Sequence, residues 1–313
     1  MPFARTVLGD VDPARLGVVL AHEHLIIDSP IVESRWPHIH LPSTAEAIAE
    51  VGHCLGVGIA TMVDAMPVGS GGDPVRLAEI STATGSHVIA STGLHTAKYL
   101  EGVEWALTGS VDDLSLRFTE SIERGVDGAR TGVLKVATAG QVPDAFEHRL
   151  FEAAAATHLA TGVPILTHCE EGMGGMPQIE LLASLGISPE RLALSHTDRV
   201  LDSAYHRDLM ETGANLCFDQ GLRSPEKTAR LVAELTALGF GSQLLVGTDG
   251  ARRSLWSTLG GSPGLAWIHA GFREVLAAHG VDDETLGRIF VGNPARWLTF
   301  SPGSGSSHMP LGH

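Results

Sequence analysis

One pattern repeats along most of the chain: a short apolar run, a polar loop and then a stretch with helical periodicity. The apolar runs cover residues 18–20, 61–64, 88–92, 133–137, 163–167, 192–195, 214–218 and 244–247. Each run has the length of a buried β-strand. Helical periodicity is clearest in residues 144–161, 225–238 and 264–279. In the first of these, Phe146, Leu150, Ala153 and Ala154 recur at spacings of three and four, which predicts one apolar helix face.

Strands that alternate with helices predict parallel pairing through right-handed crossovers. Eight such units in a chain of 313 residues predict a (β/α)8 TIM barrel, an α/β fold in which helices surround eight parallel strands. No linker rich in Pro, Gly and Ser divides residues 1–300, so they are expected to form a single domain. Residues 301–313 are rich in Gly and Ser and are predicted to be a disordered tail.

Composition restricts the partners. Hydrophobic residues make up 43% of the chain and charged residues 18%, as in an ordinary folded soluble protein. The formal net charge is -15 and no basic cluster is present, which argues against nucleic acid or an anionic membrane surface. No apolar run is long enough to span a bilayer or to serve as a signal peptide. Cys54, Cys169 and Cys217 form no Cys-x-x-Cys pair, which suits reduced thiols in the cytoplasm.

Residues 22–24, His-Glu-His, follow the first apolar run. Side chains at positions i and i+2 of a strand project from the same face, so His22 and His24 would converge on one point. Two neutral imidazoles in this arrangement suit a divalent metal such as zinc. In a chain with 16 histidines such a pair also arises by chance, and its meaning depends on its context.

Other ionisable residues occur at the ends of other runs. His168 follows the fifth run, His196 the sixth and Asp249 the eighth, while Lys135 lies inside the fourth. In a barrel these strand ends meet at one mouth, where chemistry takes place. Each residue alone can be explained as a hydrogen-bonded strand end, but their joint placement is harder to explain. The lysine is the most unusual member, because a buried ammonium beside metal ions is unfavourable unless its charge is removed or reversed.

With these residues, the chain resembles the phosphotriesterase-like family of the amidohydrolase superfamily from about Gly17 to Leu298. Six motifs carry the resemblance: His-Glu-His at 22–24, Leu-Lys-Val-Ala-Thr at 134–138, Thr-Gly-Val-Pro-Ile-Leu-Thr-His at 161–168, Ser-His-Thr-Asp at 195–198, Gly-Thr-Asp at 247–249 and Asn-Pro-Ala-Arg-Trp-Leu at 293–298.

The resemblance implies a binuclear metal centre at the carboxyl ends of the barrel strands. The more buried ion would be held by His22, His24 and Asp249, and the more exposed ion by His168 and His196. Lys135, carboxylated by carbon dioxide, would bind both ions. Carboxylation also explains the buried lysine, because it turns the cation into an anionic oxygen ligand. Two divalent ions are therefore the expected cofactors; zinc is favoured, with manganese, cobalt and iron as alternatives.

The implied reaction is hydrolysis by a metal-bridging hydroxide, which forms near neutral pH because the metals lower the pKa of bound water. Asp249 is expected to accept the proton, so Asp249 and Lys135 are the predicted catalytic residues. Asp198, two residues after His196, either orients ligands or caps a helix.

The loops at the mouth bear on the substrate, because the family hydrolyses phosphotriesters, homoserine lactones and sugar lactones alike. Arg252 and Arg253 lie in the last βα-loop, a region that often binds phosphate in barrels. At most one of these two neighbours is expected to face the site. Other candidates for substrate binding lie in the loops after the third and seventh runs: His95, Lys98, Tyr99, Arg223 and Lys227. An alternative is that the cations are solvated or paired with acidic residues at the rim.

The favoured function is that of a lactonase that opens a small, polar, phosphorylated sugar lactone. The main alternative is a phosphotriesterase, an esterase or an acyl-homoserine lactonase acting on neutral substrates. A non-catalytic metal-binding scaffold is a lesser alternative, since a scaffold has no need of a lysine inside a strand. The resemblance also suggests a homodimer.

Overall fold

A computed structural model describes residues 2–300, and the predicted tail lies outside the described residues. The centre of the fold is an eight-stranded parallel sheet, curled into a barrel, in which the strands follow one another in chain order. An antiparallel hairpin, β1 (Ala4–Thr6) and β2 (Gly9–Val11), precedes the barrel. The barrel strands are β3 (Val18–Glu23), β4 (Ile59–Asp64), β5 (His87–Gly93), β6 (Thr131–Thr138), β7 (Ile165–Cys169), β8 (Leu192–Ser195), β9 (Asn215–Phe218) and β10 (Leu244–Val246). Each predicted run corresponds to one strand, and the (β/α)8 fold is confirmed.

Helices lie between successive strands of the barrel, and further helices follow the last strand. They are α1 (Pro30–Arg35), α2 (Thr44–Gly56), α3 (Pro74–Thr84), α4 (Glu104–Thr108), α5 (Val111–Glu123), α6 (Ala145–Thr161), α7 (Gly175–Ser184), α8 (Ser203–Glu211), α9 (Pro225–Ala237), α10 (Trp267–Ala278), α11 (Asp283–Gly287) and α12 (Asn293–Leu298). The predicted helix at 144–161 is α6, which a capping box between Asp144 and Glu147 starts and left-handed Gly162 ends. No helix within residues 2–300 is both long and apolar enough to cross a membrane.

Alternate strand residues fill the interior of the barrel. These side chains form an inner hydrophobic cluster, against which Trp297 and Leu298 of α12 pack. A larger hydrophobic cluster lies between the strands and the helices. The strand members of the inner cluster include Val19, Ala21, Val63, Ile89, Val133, Leu166, Ala193, Cys217 and Leu245. Because side chains two positions apart share a face, the positions that follow Val133, Leu166 and Cys217 on this face are Lys135, His168 and Asp219.

A bulge in β3 directs the two histidines of the first motif. Leu20 pairs with Met62 and Glu23 pairs with Asp64, so β3 contains one residue more than β4 over this interval. Such a bulge changes the alternation of side chains and re-aims those that follow. His22 and His24 consequently line the cavity at the mouth of the barrel.

The last and first strands meet at the backbone of His22. The N–H groups of Thr248 and Asp249 both donate to the carbonyl oxygen of His22, at 3.1 and 3.0 Å. At Gly247 a Cβ atom would lie 2.6 Å from the same oxygen, so only glycine permits this close approach. The closure places Asp249 beside the histidine motif.

Candidate metal centre and active site

A cavity of about 170 Å³ opens at the carboxyl ends of the barrel strands. Five of the predicted metal ligands line it, and the sixth, Lys135, is buried close enough to lower the pKa of two of the histidines. The structure therefore brings the whole predicted ligand set to one end of the barrel: His22, His24, Lys135, His168, His196 and Asp249.

A buried carboxylate, Asp219, lies between two of these histidines. Its Oδ2 atom is 3.2 Å from Nδ1 of His22 and 2.8 Å from Nδ1 of His196, and it accepts the backbone N–H of His196 at 3.0 Å. Burial alone would raise the pKa of Asp219, but the two imidazoles hold it well below its usual value. Because an ionised carboxylate only accepts hydrogen bonds, Nδ1 of His22 carries the ring proton and its Nε2 lone pair stays available.

Asp219 is not among the residues predicted from the sequence, although the sequence contains a signal for it. Strand β9 ends at Phe218, so Asp219 is the first residue after an apolar run, like several of the predicted ligands. Cys217 packs in the inner cluster, and the two-residue alternation carries Asp219 to the same face.

A second carboxylate, Glu170, orients His168. Its Oε2 atom accepts from Nε2 of His168 at 2.8 Å, while Oε1 is 3.3 Å from Nζ of Lys98. The hydrogen bond with His168 lowers the pKa of Glu170 to about 2 against the opposing effect of burial. The Nδ1 lone pair of His168 is thereby left available. Burial lowers the pKa of His168 to about 3, so this ring is neutral near neutral pH.

The amine of Lys135 has no hydrogen-bond partner within the described part of the chain, although only 1% of the residue is exposed. Burial lowers the pKa of Lys135 to about 8, even though Asp249 and Asp219 act in the opposite direction. An unpartnered buried polar atom is costly and rare. It fits a side chain whose partner is an ion or a covalent modification.

Asp249 has a left-handed backbone, with φ at +46°, a conformation that non-glycine residues seldom adopt. Arg223 supports it from Nη2, which donates to the carbonyl oxygen of Asp249 at 2.6 Å and lies 3.3 Å from its carboxylate. Nη1 of Arg223 donates to the carbonyl oxygen of Thr248 at 2.9 Å. Burial would raise the pKa of Asp249, but His24, His196 and Arg223 hold it well below its usual value.

Glu23, the central residue of the His-Glu-His motif, also supports this loop. Its carboxylate accepts the backbone N–H of Thr248 at 2.8 Å, and a second bond comes from the Thr248 hydroxyl. Burial raises the pKa of Glu23 to about 8, although both bonds to Thr248 oppose the shift. Glu23 thus joins β3 to the residue before Asp249, a contact that the sequence pattern did not reveal.

The predicted substrate-binding residues divide into two groups. His95, Lys98, Tyr99, Arg223 and Arg252 line the cavity. Arg253 is not among the lining residues; its Nη1 atom donates to the carbonyl oxygen of His40 at 3.0 Å. The two neighbouring arginines therefore point to different surroundings, with Arg252 exposed at the rim.

His95 presents a defined tautomer to the cavity. The backbone N–H of Thr96 donates to Nδ1 of His95 at 2.7 Å, so the proton of the neutral ring is on Nε2. Burial, reinforced by His168 and Lys135, lowers the pKa of His95 well below its usual value. The ring packs edge-on against Tyr99, with centroids 4.6 Å apart. The Nε2–H group of His95 is thus a neutral hydrogen-bond donor at the cavity.

This donor set fits metal ions. The ligand atoms of His22, His24 and Asp249 lie within 4.8 Å of one another. His22 and His168 each share a hydrogen bond with a carboxylate at one ring nitrogen, which leaves a lone pair on the other, the arrangement typical of histidine ligands. Nδ1 faces Asp219 in both His22 and His196, so the Nε2 atoms of both rings lie on the side away from this carboxylate.

Comparison with known proteins identifies the family. The profile of the phosphotriesterase family matches residues 2–298. The chain belongs to the phosphotriesterase family. The protein is thus a metal-dependent hydrolase of a family that uses a binuclear metal centre. The family resemblance and the enzyme class predicted from the sequence are both confirmed.

One sequence relative and two solved structures match this phosphotriesterase-family hydrolase over nearly its full length. A phospho-furanose lactonase of Mycoplasmopsis synoviae is 31% identical, covering 95% of this chain and 92% of the relative. The crystal structure of an amidohydrolase from Mycoplasma synoviae has a TM-score of 0.92 and 28% identity, with 96% and 92% coverage. That of a lactonase from Listeria monocytogenes has a TM-score of 0.89 and 28% identity, with 96% and 99% coverage.

Proposed function

We propose that this hydrolase is a lactonase that opens a small, polar, phosphorylated sugar lactone with two bound divalent metal ions. The observation that carries the proposal is a set of buried imidazoles, with carboxylates beside them, close to the amine of Lys135, which has no hydrogen-bond partner among residues 2–300. Lactonase relatives that match nearly the whole chain, one of them acting on phospho-furanose lactones, support the substrate class.

The proposed ligands are those implied by the family resemblance. His22, His24 and Asp249 would hold one ion, and His168 and His196 the other, with carboxylated Lys135 contributing to both. Zinc is favoured, because it suits imidazole and carboxylate donors. When bound, the ions supply an activated water and polarise the lactone carbonyl.

Carboxylation of Lys135 requires only carbon dioxide. The neutral Nζ atom attacks the carbon of carbon dioxide; as the N–C bond forms, one C=O π bond opens and its electron pair moves onto oxygen. One N–H proton passes to water, which leaves an anionic carbamate. The lowered pKa of Lys135, about 8, makes the neutral amine accessible near neutral pH. The product no longer has an uncompensated positive charge in a buried site.

Asp249 is the proposed proton acceptor for the attacking water. Its carboxylate is ionised, because its pKa lies well below the usual value, and its side chain is 14% exposed, so it can pass the proton outward. Arg223 and Glu23 hold the loop that carries Asp249. These contacts suit a base that must keep one orientation through each turnover.

The cavity favours a small polar substrate over a large apolar one. At about 170 Å³ it lies below the usual range of drug-sized sites, and its lining includes histidines and cationic side chains. Neutral phosphotriesters and acyl-homoserine lactones have no negative charge to which such cations could bind. The homodimer suggested by the family resemblance stays a prediction.

We expect His95→Phe to slow lactone hydrolysis about 10- to 100-fold, since it removes one hydrogen bond donated to the substrate. His95→Gln keeps a donor and should restore part of the rate. Steady-state kinetics with a phosphorylated aldonolactone test both variants. Equal losses in the two variants would show that the ring shape of His95 matters rather than its N–H.

A hydrolysis assay tests the proposed function. Metal-reconstituted protein is compared on aldono-1,4-lactones with and without a 5-phosphate, an acyl-homoserine lactone and a dialkyl aryl phosphate, with chelated protein as the control. We expect a strong preference for the phosphorylated lactones. Preference for a neutral ester would contradict the proposed phosphorylated substrate and favour an esterase or phosphotriesterase. Metal binding without turnover of any substrate would favour a non-catalytic metal-binding scaffold.

A further inference from the structure

A buried amide, Gln178 of α7, lies behind the strands that carry two of the proposed metal ligands. The residue is fully buried. Its neighbours on the same face of α7, Ile179 and Leu182, pack in the hydrophobic cluster between the strands and the helices. Gln178 therefore lies on the outer side of the strands. An amide in such an apolar layer costs free energy unless its polar atoms find partners.

Both polar atoms of the Gln178 side chain have such partners. Nε2 donates to the hydroxyl oxygen of Thr138 at 2.7 Å and to the carbonyl oxygen of His168 at 3.0 Å. Oε1 accepts from Sγ of Cys169 at 3.6 Å. Because a carbonyl oxygen can only accept, the contact with His168 fixes which end of the amide is the NH2 group. One side chain thus makes three hydrogen bonds, all of them to strand ends.

The three partners belong to two neighbouring strands. Thr138 is the last residue of β6 and Cys169 the last residue of β7, and the two are partners in the parallel ladder. Their side chains point outward, because Lys135 and His168 project from the inner face and side chains alternate along a strand. Gln178 thus joins the two strands at the point where their backbone ladder ends.

This connection bears on the metal site because both strands carry ligands of the same ion. Lys135 is proposed to contact both ions, and His168 the more exposed one. Glu170 orients the ring of His168, whereas Gln178 holds its backbone and ties it to β6. Zinc tolerates deviations of only about 0.2 Å in its ligand distances. A small displacement of either strand end would therefore weaken the binding of this ion.

We infer that Gln178 is a positioning residue, which holds the ends of β6 and β7 together so that Lys135 and His168 can bind the same metal ion. This role rests on the metal ligands of the proposed function. Gln178 acts from the outer side of the barrel, through the backbone of His168 and the side chain of Thr138, and needs no contact with an ion or with the substrate.

Gln243 provides a matched control at the opposite end of the barrel. Its Nε2 atom also donates two hydrogen bonds, to the carbonyl oxygens of Met210 and Ala214 at 2.7 and 2.9 Å. Gln243 directly precedes β10, so it lies at the amino ends of the strands, whereas Gln178 contacts their carboxyl ends. Methionine is about as long as glutamine but donates no hydrogen bond, so one substitution removes two donated bonds at either position.

We expect Gln178→Met to weaken the binding of one of the two zinc ions about 10-fold, the lower end of the effect of removing a hydrogen-bond partner behind metal ligands. The other ion should be bound as in the wild-type protein. Gln243→Met should leave both zinc affinities unchanged, although both substitutions should lower the urea midpoint of unfolding. Chelator competition on the zinc-loaded protein measures the affinities, and cobalt absorption reports the ligand geometry.

Thr138→Val breaks the same connection from the side of β6. It should weaken the binding of the same ion, so it decides the question even if Gln178→Met does not fold. Because both substitutions remove one connection, the double variant should bind zinc no more weakly than Gln178→Met alone. Wild-type zinc affinity in Gln178→Met and Thr138→Val, or equal weakening in Gln243→Met, would show that Gln178 serves only the stability of the fold.

The zinc titration needs no lactone, which separates the role of Gln178 from the choice of substrate. If the variants bound zinc as expected and the wild-type protein hydrolysed no lactone, the proposed function would be wrong and the positioning role of Gln178 would stand. If the wild-type protein hydrolysed phosphorylated lactones and the variants bound zinc normally, only the positioning role would be wrong.

Discussion

Replacing Lys135 with methionine should lower lactonase activity about 10³-fold or more, equivalent to roughly 4 kcal/mol of transition-state stabilisation. Methionine has a similar length but cannot be carboxylated, so the site loses its one ligand proposed to contact both ions. Metal content, measured by mass spectrometry after dialysis, should fall from two ions per chain to one or fewer. Activity and metal content should therefore fall together.

The same substitution should not destabilise the fold. The amine of Lys135 has no hydrogen-bond partner among residues 2–300, and exchanging a buried polar group for an apolar one of similar size is neutral or stabilising. The melting temperature of the metal-free protein should stay the same or rise. A large decrease, with metal content unchanged, would mean that Lys135 has only a structural role.

Lys135→Glu provides the control for carboxylation. Glutamate supplies a carboxylate without carbon dioxide, although its shorter side chain places that group differently. Reconstitution of the wild-type protein with zinc should require bicarbonate, whereas reconstitution of Lys135→Glu should not. Equal dependence of the two proteins on bicarbonate would contradict the proposed modification.

The barrel could be predicted from the sequence because its determinants are local. A buried parallel strand is covered on both faces, so each strand forms a continuous apolar run that is visible without any knowledge of its neighbours. The position of Lys135, His168 and Asp249 at one end of the barrel could be predicted for the same reason, since each lies in such a run or just after it. The topology then brings the strand ends together.

The contacts that orient the site could not be predicted, because they join residues far apart in the chain. Asp219 reaches His22 across 197 positions, and Glu23 reaches Thr248 across 225. The neighbours Arg252 and Arg253 have the same chemistry, so nothing in the local sequence distinguishes the one at the rim from the one bonded to His40. Only the packing of the loops determines which cation faces the cavity.

Replacing Asp219 with asparagine should weaken zinc binding 10- to 100-fold, the usual effect of removing a carboxylate that orients histidine ligands. Oδ2 of Asp219 lies within 3.2 Å of Nδ1 in both His22 and His196. An asparagine at this position has one acceptor oxygen and no charge, so it cannot hold both rings in the same tautomer and orientation. Competition with a chelator measures the affinity, and cobalt absorption reports the ligand geometry.

Asp198→Asn separates this effect from a general loss of stability. Asp198 is likewise buried at the carboxyl end of the barrel, but its side chain accepts from the Gln220 backbone and from Thr228, and it bonds to no imidazole among residues 2–300. Asparagine puts an NH2 group in place of one buried carboxylate oxygen, so both substitutions should lower the free energy of unfolding by about 1–3 kcal/mol. Only Asp219→Asn should also weaken zinc binding and alter the cobalt spectrum. If the two variants weakened zinc binding equally, Asp219 would act through the fold, and the orientation of His22 and His196 would not depend on their shared carboxylate.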